Sequence, residues 1–169
     1  MIGKITNCRL ELYVLYEMMC VMQIVDMERK HIRRVYAIDT YYFSSIKEKL
    51  SFASALLFRK VFTFRVALVD GLVVGSCSII NLRDGCHIHN ISVDSNYRNR
   101  GIGEKLLVDI IDIAQSKGHK VLLLEVRQSN LAAQALYKKF GFVEYGIRKN
   151  YYPLKSKGKE DAALMKKVL

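Results

Sequence analysis

Two glycines stand among cations in the segment NYRNRGIGEKLL, residues 96–107. A strand-like apolar run precedes this segment, and apolar residues at helical spacing follow it. A loop that leads into a helix N-terminus points free backbone N–H groups at an anion. Gly101 and Gly103 have no Cβ to obstruct a phosphate, and Arg98 and Arg100 add positive charge. The segment therefore predicts a pyrophosphate-binding loop.

Other interpretations of the two glycines are weaker. A dinucleotide-binding loop would carry a third glycine near Leu106, where the sequence has none. A P-loop would need a Gly-Lys pair followed by Ser or Thr after four spacer residues, and that motif is absent. A short G-x-G is little evidence by itself, so an ordinary tight turn is the remaining alternative.

One carboxylate stands in an otherwise apolar strand-like run. Glu125 lies in VLLLEVR, where a solvated surface charge is not expected. A carboxylate in an apolar setting is a candidate general base. The alternative is a structural ion pair with Arg127 or Arg148.

Periodicity predicts the elements that would position these residues. Residues 27–43 and 46–58 have helical spacing, and Asp70-Gly71 joins two β-rich runs as a hairpin. Later strands are predicted over residues 87–93, 120–127, 142–148 and 162–168, and helices over residues 102–117 and 130–140. Gly118 is the predicted end of the first of these helices. This order predicts a single α/β domain with mixed strand pairing.

Composition limits the class of protein. The chain has 169 residues, is 51% hydrophobic and contains one proline, which indicates a compact domain. Four scattered cysteines predict reduced thiols and a cytoplasmic location. The net charge of +11 favours an anionic partner, with a merely solvated surface as the alternative. Residues 8–22 contain Glu11 and Glu17 and are too short to span a bilayer, so we expect no membrane association.

Three segments in order resemble the GNAT acetyltransferase superfamily: ISVDSNYRNRGIGEKLL, LLLEVRQSNLAAQALYKKFGF and NYYPLKSKGKEDAALM. Within it they resemble the RimI-type and archaeal-type N-terminal acetyltransferases. The superfamily signature R/Q-x-x-G-x-G/A corresponds to residues 98–103. The resemblance implies a GNAT fold, with a mixed, mostly antiparallel central sheet flanked by helices, formed by residues 22–169. It is absent before Met22, so residues 1–21 are an N-terminal extension whose structure the sequence does not decide.

The resemblance implies acetyl-CoA as the co-substrate and no metal. The backbone of the strand Ile91-Ser92-Val93 would pair with the pantetheine arm, and its amides could polarise the thioester carbonyl. The pyrophosphate would lie against the loop residues Arg98, Asn99, Arg100, Gly101, Ile102, Gly103 and Glu104. Asn130 would contact the cofactor as well. Glu104 stands where a basic residue is common, and we expect little effect because backbone groups make most of the contacts.

Catalytic roles are also implied by the resemblance. Glu125 matches the glutamate that acts as general base, often through water. Tyr137 matches the tyrosine that protonates the departing CoA sulfur, with core packing as the alternative. His87 is a second candidate base, because some archaeal-type relatives carry His or Tyr at this position. We expect direct attack in a ternary complex, since no Cys–His–carboxylate pattern supports an acyl-cysteine.

The predicted acceptor is an N-terminal α-amine of a protein, such as a ribosomal protein or a nascent chain. Such an amine needs about 1 kcal/mol to become neutral at pH 7, whereas a lysine amine needs about 4.6 kcal/mol. By resemblance, Tyr41, Tyr42 and Phe43 would shape the pocket for the first side chain. Tyr151 and Tyr152, in the opposing loop, would hold the peptide backbone.

Two other functions are alternatives. A small-molecule amine acetyltransferase, acting on polyamines or aminoglycosides, would usually have an acidic cleft, which the net charge of +11 disfavours. A basic ribosome- or RNA-binding module with a degenerate CoA site is disfavoured by the intact glycines, Glu125, Asn130 and Tyr137. No motif for sequence-specific nucleic-acid binding is visible. We expect a monomer or a weak dimer.

Overall fold

The computed structural model describes residues 21–39, 52–83, 85–154 and 158–169, which build a seven-stranded sheet. The strands are β1 (Met22–Asp26), β2 (Phe62–Val69), β3 (Leu72–Asn81), β4 (Cys86–Val93), β5 (Val121–Arg127), β6 (Val143–Pro153) and β7 (Lys159–Val168). The helices are α1 (Ile32–Ile38), α2 (Ile102–Ser116) and α3 (Leu131–Lys139), with 3-10 turns at Arg29–His31 and Ser95–Tyr97. The strand order is β1-β2-β3-β4-β5-β7-β6.

The strands β4 and β5 form a parallel pair, whereas the other neighbouring pairs of the described sheet are antiparallel. Parallel strands need a crossover connection, and α2 supplies it. The pairing of β4 with β5 covers only Cys86–Ile88 against Leu122–Leu124. Both strands continue beyond it, so a gap opens between them at their carboxyl ends.

The helices cover both faces of the sheet. The apolar positions of α2 are buried, as its spacing predicts: Ile102, Leu106, Leu107, Ile110, Ile111 and Ala114. They pack in one cluster with residues of the sheet such as Leu122 and Met165, and α3 covers the same face. The opposite face is covered by α1 and a helical stretch at residues 52–55, where Val35 packs with Phe64.

The predicted α/β architecture is confirmed, with a mixed and mostly antiparallel sheet flanked by helices. The β2–β3 hairpin turns at Asp70-Gly71, where φ is +50° and +77°. Gly118, with φ of +75°, follows the end of α2 as predicted. No helix of the described residues is long and apolar enough to cross a bilayer.

Other predicted boundaries are wrong. Strand β1 is not predicted by periodicity, because five residues with adjacent Ile24 and Val25 show no alternation. The helix predicted from Met27 is reduced to a 3-10 turn and α1, and residues 40–51 lie outside the described part.

The predicted strand ending at Arg148 continues to Pro153, so Tyr151 and Tyr152 lie on β6 and not in a loop. The pairing of β6 with β7 shifts register between Arg148 and Tyr152, and Asn150 has φ of +52° within this shift.

Candidate active site

A cleft of about 480 Å³, here called the central cleft, opens where β4 and β5 diverge. Residues 88–93 line it from β4, and residues 124–127 line it from β5. The first turns of α3, the end of α1 and Tyr152 of β6 complete its walls. The site therefore lies at the carboxyl ends of parallel strands, where α/β sheets commonly bind ligands.

The backbone of β4 presents hydrogen-bonding groups to the central cleft. Asp94 N–H donates to the Val74 carbonyl at 2.9 Å. Bonded and non-bonded pairs alternate along antiparallel strands, so Ser92 also bonds to β3 through its backbone. Val93 and Ile91 then direct their N–H and C=O groups away from β3 and toward the gap. A linear, amide-containing ligand could pair with this edge.

The predicted anion-binding loop leads from β4 to α2. Gly101 is the N-cap of α2 and has φ of +74°, a left-handed conformation that glycine adopts at little cost. The space where its Cβ would stand is open, with nothing within 4 Å. The preceding Asn99 is also left-handed, with φ of +59°. A second cleft of about 310 Å³, the loop cleft, includes Gly103 and shares Val93 and Tyr137 with the central cleft. The two clefts therefore form one continuous surface.

Charged side chains surround the loop cleft. Arg98 Nε donates to the last carbonyl of β4 at 3.3 Å, and this side chain lines both clefts. The Arg100 guanidinium lies 5.2 Å from the centroid of the Tyr97 ring. Glu104 is paired with Lys139 of α3 at 2.7 Å. This ion pair offsets the negative charge that Glu104 brings to the first turn of α2.

Glu125 lines the central cleft and is mostly buried, with 12% of its side chain exposed. Its Oε2 lies 2.5 Å from His87 Nε2, and its Oε1 lies 3.0 Å from Arg148 Nη1. The ion pair with Arg148 that the sequence analysis gave as an alternative is therefore present. Arg127 is paired with Glu160 at 2.5 Å instead. The carboxylate is thus held from two sides and still faces the cleft.

The two histidines of β4 have different surroundings. A register shift opposite Ser78 and Ile79 makes His89 an extra residue in the strand. In a regular strand His87 and His89 would lie on the same face of the sheet, because they are two residues apart. The bulge interrupts this alternation. His87 contacts Glu125, whereas His89 lines the central cleft. Desolvation and the neighbouring His87 lower the pKa of His89, which favours its neutral form.

Tyr137 of α3 stands at the junction of the two clefts. Only 8% of the residue is exposed, and its ring lies 5.7 Å from that of Phe142. Its hydroxyl makes no hydrogen bond to another described residue. Burial, and to a lesser extent the nearby Tyr152 and Cys77, raise the pKa of Tyr137. The phenol therefore stays protonated at neutral pH.

The two tyrosines of β6 also differ. Tyr152 lines the central cleft, and its hydroxyl donates to the Glu125 carbonyl at 3.1 Å. The Arg127 guanidinium lies 4.4 Å from the centroid of its ring, and burial raises the pKa of Tyr152 to about 12. Tyr151 is 41% exposed and packs on Arg148, 4.9 Å from its guanidinium. It does not line the central cleft.

A polar network at the cleft was not predicted from the sequence. Asp39, directly after α1, accepts hydrogen bonds from Ser92 Oγ at 2.6 Å and Asn90 Nδ2 at 3.0 Å. Arg34 of α1 pairs with the buried Asp94 just after β4. These contacts fix α1 to the strand that lines the cleft. The signal in the sequence is slight: an acidic residue at each element end.

Comparison with known proteins adds independent evidence. The family model described as the acetyltransferase (GNAT) family matches residues 29–142, which is more than half of the chain. The chain belongs to the GNAT acetyltransferase family.

Several relatives of this GNAT acetyltransferase are named for the acetylation of a ribosomal protein. It is 39% identical over 140 residues to a Bacillus subtilis protein provisionally named a ribosomal protein bS18-alanine N-acetyltransferase, covering 83% of this chain and 91% of that protein. The crystal structure of the ribosomal-protein-S18-alanine N-acetyltransferase from Escherichia coli superimposes with a TM-score of 0.78 at 32% identity, covering 88% of this chain and 94% of that one. The crystal structure of Ard1 from Thermoplasma volcanium superimposes with a TM-score of 0.75 at 26% identity, covering 88% of this chain and 97% of that one. The predicted resemblance to RimI-type enzymes is confirmed.

In the GNAT fold the predicted catalytic residues Glu125 and Tyr137 line the central cleft, and His87 contacts Glu125 without lining the cleft itself. Asn130 is the N-cap of α3, where its Oδ1 accepts from Ala133 N–H at 3.2 Å, and it lines the same cleft. Ile102, with 3% exposure, can contribute only its backbone to the loop. The predicted peptide-binding residues Tyr41, Tyr42 and Phe43 lie outside the described residues.

The described part of this GNAT domain has neither a metal-ligand cluster nor a reactive thiol. Within the described ranges, no group of three or more His, Cys, Asp or Glu side chains could hold a metal ion. Cys77 and Cys86 are free thiols buried in the core. Burial raises the pKa of Cys86 to about 11, so this thiol stays protonated at neutral pH. Neither thiol is suited to carry an acetyl group.

Proposed function

We propose that this protein transfers the acetyl group of acetyl-CoA to the N-terminal α-amine of proteins in the cytoplasm, with an alanine-starting ribosomal protein as one target. The observation that carries the proposal is the position of Glu125. Its carboxylate faces the cleft into which the amides of Ile91 and Val93 are directed, and Tyr137 stands at the other end of that cleft. The proposed base, the amides that would polarise the carbonyl group and the proposed acid therefore surround one cleft.

The residues present fit acetyl-CoA. The open left-handed turn at Gly101 and the free N–H groups at the start of α2 suit a pyrophosphate. Arg98 brings positive charge to the junction of the clefts. Asn130 adds the NH₂ group of its side-chain amide, since its Oδ1 is used as a helix cap. The edge of β4 suits the amides of a pantetheine arm.

When bound, acetyl-CoA supplies the activated acetyl group, and the residues of this chain move the protons. Glu125 takes a proton from the α-ammonium group, either directly or through water, and His87 receives it through their 2.5 Å contact. The neutral nitrogen bonds to the acetyl carbon, and the amides of Ile91 and Val93 donate to the carbonyl oxygen as negative charge develops there. The C–S bond then breaks as Tyr137 gives its proton to the departing sulfur. The nitrogen loses its second proton, which restores the phenol of Tyr137 through solvent. Tyr152 holds the backbone of β5 at Glu125 and contributes a wall for the peptide.

The test is acetyl transfer to a panel of acceptors. The panel contains Ala-, Ser-, Met- and Glu-starting peptides, an N-blocked lysine peptide and spermidine. We expect turnover on free N-termini, and we expect kcat to fall by about 100-fold or more in Glu125→Gln and Tyr137→Phe. Glu144→Gln is the matched control, because Glu144 is exposed on β6 and lies away from the cleft. Turnover on spermidine or lysine alone would overturn the proposed acceptor, and its complete absence would overturn the enzyme.

A further inference from the structure

Six lysines gather at the end of the sheet opposite the central cleft. They are Lys60, Lys117, Lys120, Lys138, Lys166 and Lys167, here called the basic end. The topology brings them together. Helix α2 returns from the cleft end of the sheet, so its last turn lies at the far end, where β5 and β6 begin and β7 finishes. Helix α3 ends shortly before the start of β6, while its Lys139 still reaches Glu104 in the first turn of α2.

On the β2 side of the basic end, contacts bring the backbone of Lys60 and the side chain of Lys117 to the same asparagine. Lys117 Nζ donates to Thr63 Oγ1 at 2.8 Å and lies 3.3 Å from Asn81 Oδ1. The amide of Asn81 reaches the Lys60 carbonyl at 3.4 Å. Lys60 and Lys117 therefore flank the same asparagine, at the start of β2 and the end of β3.

The surface continues across β5, β7 and β6. The Lys120 carbonyl accepts from Leu169 N–H at 3.1 Å, which ties the start of β5 to the end of the chain. Lys167 Nζ lies beside Gly141, where an added methyl group would come within 3.2 Å of it. Gly141 in turn donates its N–H to the Lys138 carbonyl at 3.0 Å. From β2 to β6 the strand order has five steps, so the surface extends over about 24 Å at roughly 4.8 Å per step.

Little negative charge balances this surface. None of the six lysines is ion-paired with a carboxylate in the described part of the chain, and all except the half-buried Lys167 are exposed. Asp26, on the neighbouring β1, is already paired with Arg65 at 2.8 Å. Glu144 of β6, near the end of β7, and the exposed Asp112 near the end of α2 are opposing charges in this region. Favourable placement at helix C-termini explains Lys117 and Lys138 but not the lysines on the strands.

We propose that the basic end binds the phosphate backbone of RNA without reading its sequence. Lysine contacts phosphates as a point charge, whereas base recognition commonly uses the planar fork of arginine. Protein–protein interfaces are depleted in lysine at their centres, so an acidic protein fits this surface less well. The RNA would lie at the end of the sheet away from the acetyl-transfer cleft, leaving the cleft open to a peptide. This inference does not depend on the proposed acetyl transfer.

The experiment measures binding of a fluorescein-labelled 20-nucleotide RNA stem-loop by anisotropy between 50 and 200 mM NaCl. The test variant carries Lys120→Gln, Lys138→Gln and Lys166→Gln. The control carries Lys105→Gln, Lys149→Gln and Lys159→Gln, an equal loss of charge at the other end of the strands. We expect the test variant to lose at least about tenfold in affinity at 100 mM NaCl and its salt slope to fall by about 2 to 3. The control should keep most of its affinity.

Three further measurements decide the proposal. Excess CoA should not displace the RNA, and displacement would overturn the assignment to the basic end. Poly-glutamate should compete poorly, and equal competition would mean that an acidic protein is the partner. Peptide acetylation by the test variant should equal that of the unmodified protein. An equal loss of RNA affinity in the test and control variants would also overturn the proposal, because net charge alone would then explain the binding.

Discussion

His87 Nε2 lies 2.5 Å from Glu125 Oε2, so the strand on one side of the central cleft holds the carboxylate that projects from the other. The parallel pairing of β4 and β5 ends at Ile88 and Leu124, next to these two residues. The contact therefore spans the strands at the point where they separate. It fixes the position of the proposed base and gives it a neighbour that can accept a proton.

The first prediction concerns His87. Glutamine can donate a hydrogen bond to Glu125 but cannot carry a proton away, and alanine can do neither. We expect kcat to fall by about tenfold or more in both His87→Gln and His87→Ala, because the proposed role is proton acceptance. Steady-state kinetics over pH 6 to 9 provide the measurement. Full activity in His87→Gln would show that His87 only orients Glu125.

The second prediction concerns Arg148, which holds the other oxygen of Glu125 at 3.0 Å. Replacement by methionine keeps an unbranched chain beside Tyr151 and removes the charge. We expect kcat for peptide acetylation to fall about tenfold, because Glu125 loses its fixed orientation, with KM for acetyl-CoA unchanged. Lys149→Met is the matched control, since Lys149 pairs with Asp161 on β7 at 2.7 Å. An equal effect of the two changes would contradict a specific role for Arg148.

A third prediction compares the two glycines of the loop. Gly101 has φ of +74°, so Gly101→Ala should cost about 1 to 2 kcal/mol of unfolding free energy and raise KM for acetyl-CoA. A Cβ at Gly103 would meet Leu136 and Val93 at 3.6 and 3.8 Å, which are ordinary contacts. Gly103→Ala should therefore unfold at the same urea concentration as the unmodified protein, or slightly above it. An equal loss of unfolding free energy in both variants would argue against strain at Gly101.

The fourth prediction follows from Tyr152, whose pKa burial raises to about 12. In the unfolded chain a tyrosine phenol has a pKa near 10, so the folded state holds the proton of Tyr152 more tightly. Its contribution to stability is complete below pH 10 and is lost as the pH rises toward 12. The urea midpoint of Tyr152→Phe should therefore fall less steeply between pH 10 and 12 than that of the unmodified protein. Parallel curves would show that Tyr152 ionises equally in both states.

Local sequence patterns predict the loop and helix of the candidate cofactor site well, because their causes are local. Glycines at residues 101 and 103, followed by apolar residues at helical spacing, specify a helix N-terminus without help from the rest of the chain. Glu125 is likewise visible as a charge among apolar neighbours. These features require no knowledge of which strands are adjacent.

Contacts between distant segments could not be predicted in the same way. The sequence offers both Arg127 and Arg148 as partners of Glu125 and does not decide between them, because Arg148 reaches Glu125 only through the pairing of β7 with both β5 and β6. The link from Asp39 to Ser92 depends on how α1 lies on the sheet. The sequence did not predict that β6 continues through Asn150, because asparagine favours turns. Asp161 stabilises the irregular backbone there by accepting the Asn150 N–H at 2.9 Å.

The separation of β4 from β5 beyond Ile88 and Leu124 creates two sheet edges that face each other inside the protein. An edge on the outside of a protein would pair with any extended chain it met. Here each edge is screened by the opposite wall of the central cleft, so the sheet of another molecule cannot reach it. A thin, linear group such as the proposed pantetheine arm can still lie along the edge of β4. The separation that offers backbone groups to a ligand therefore also protects them from aggregation.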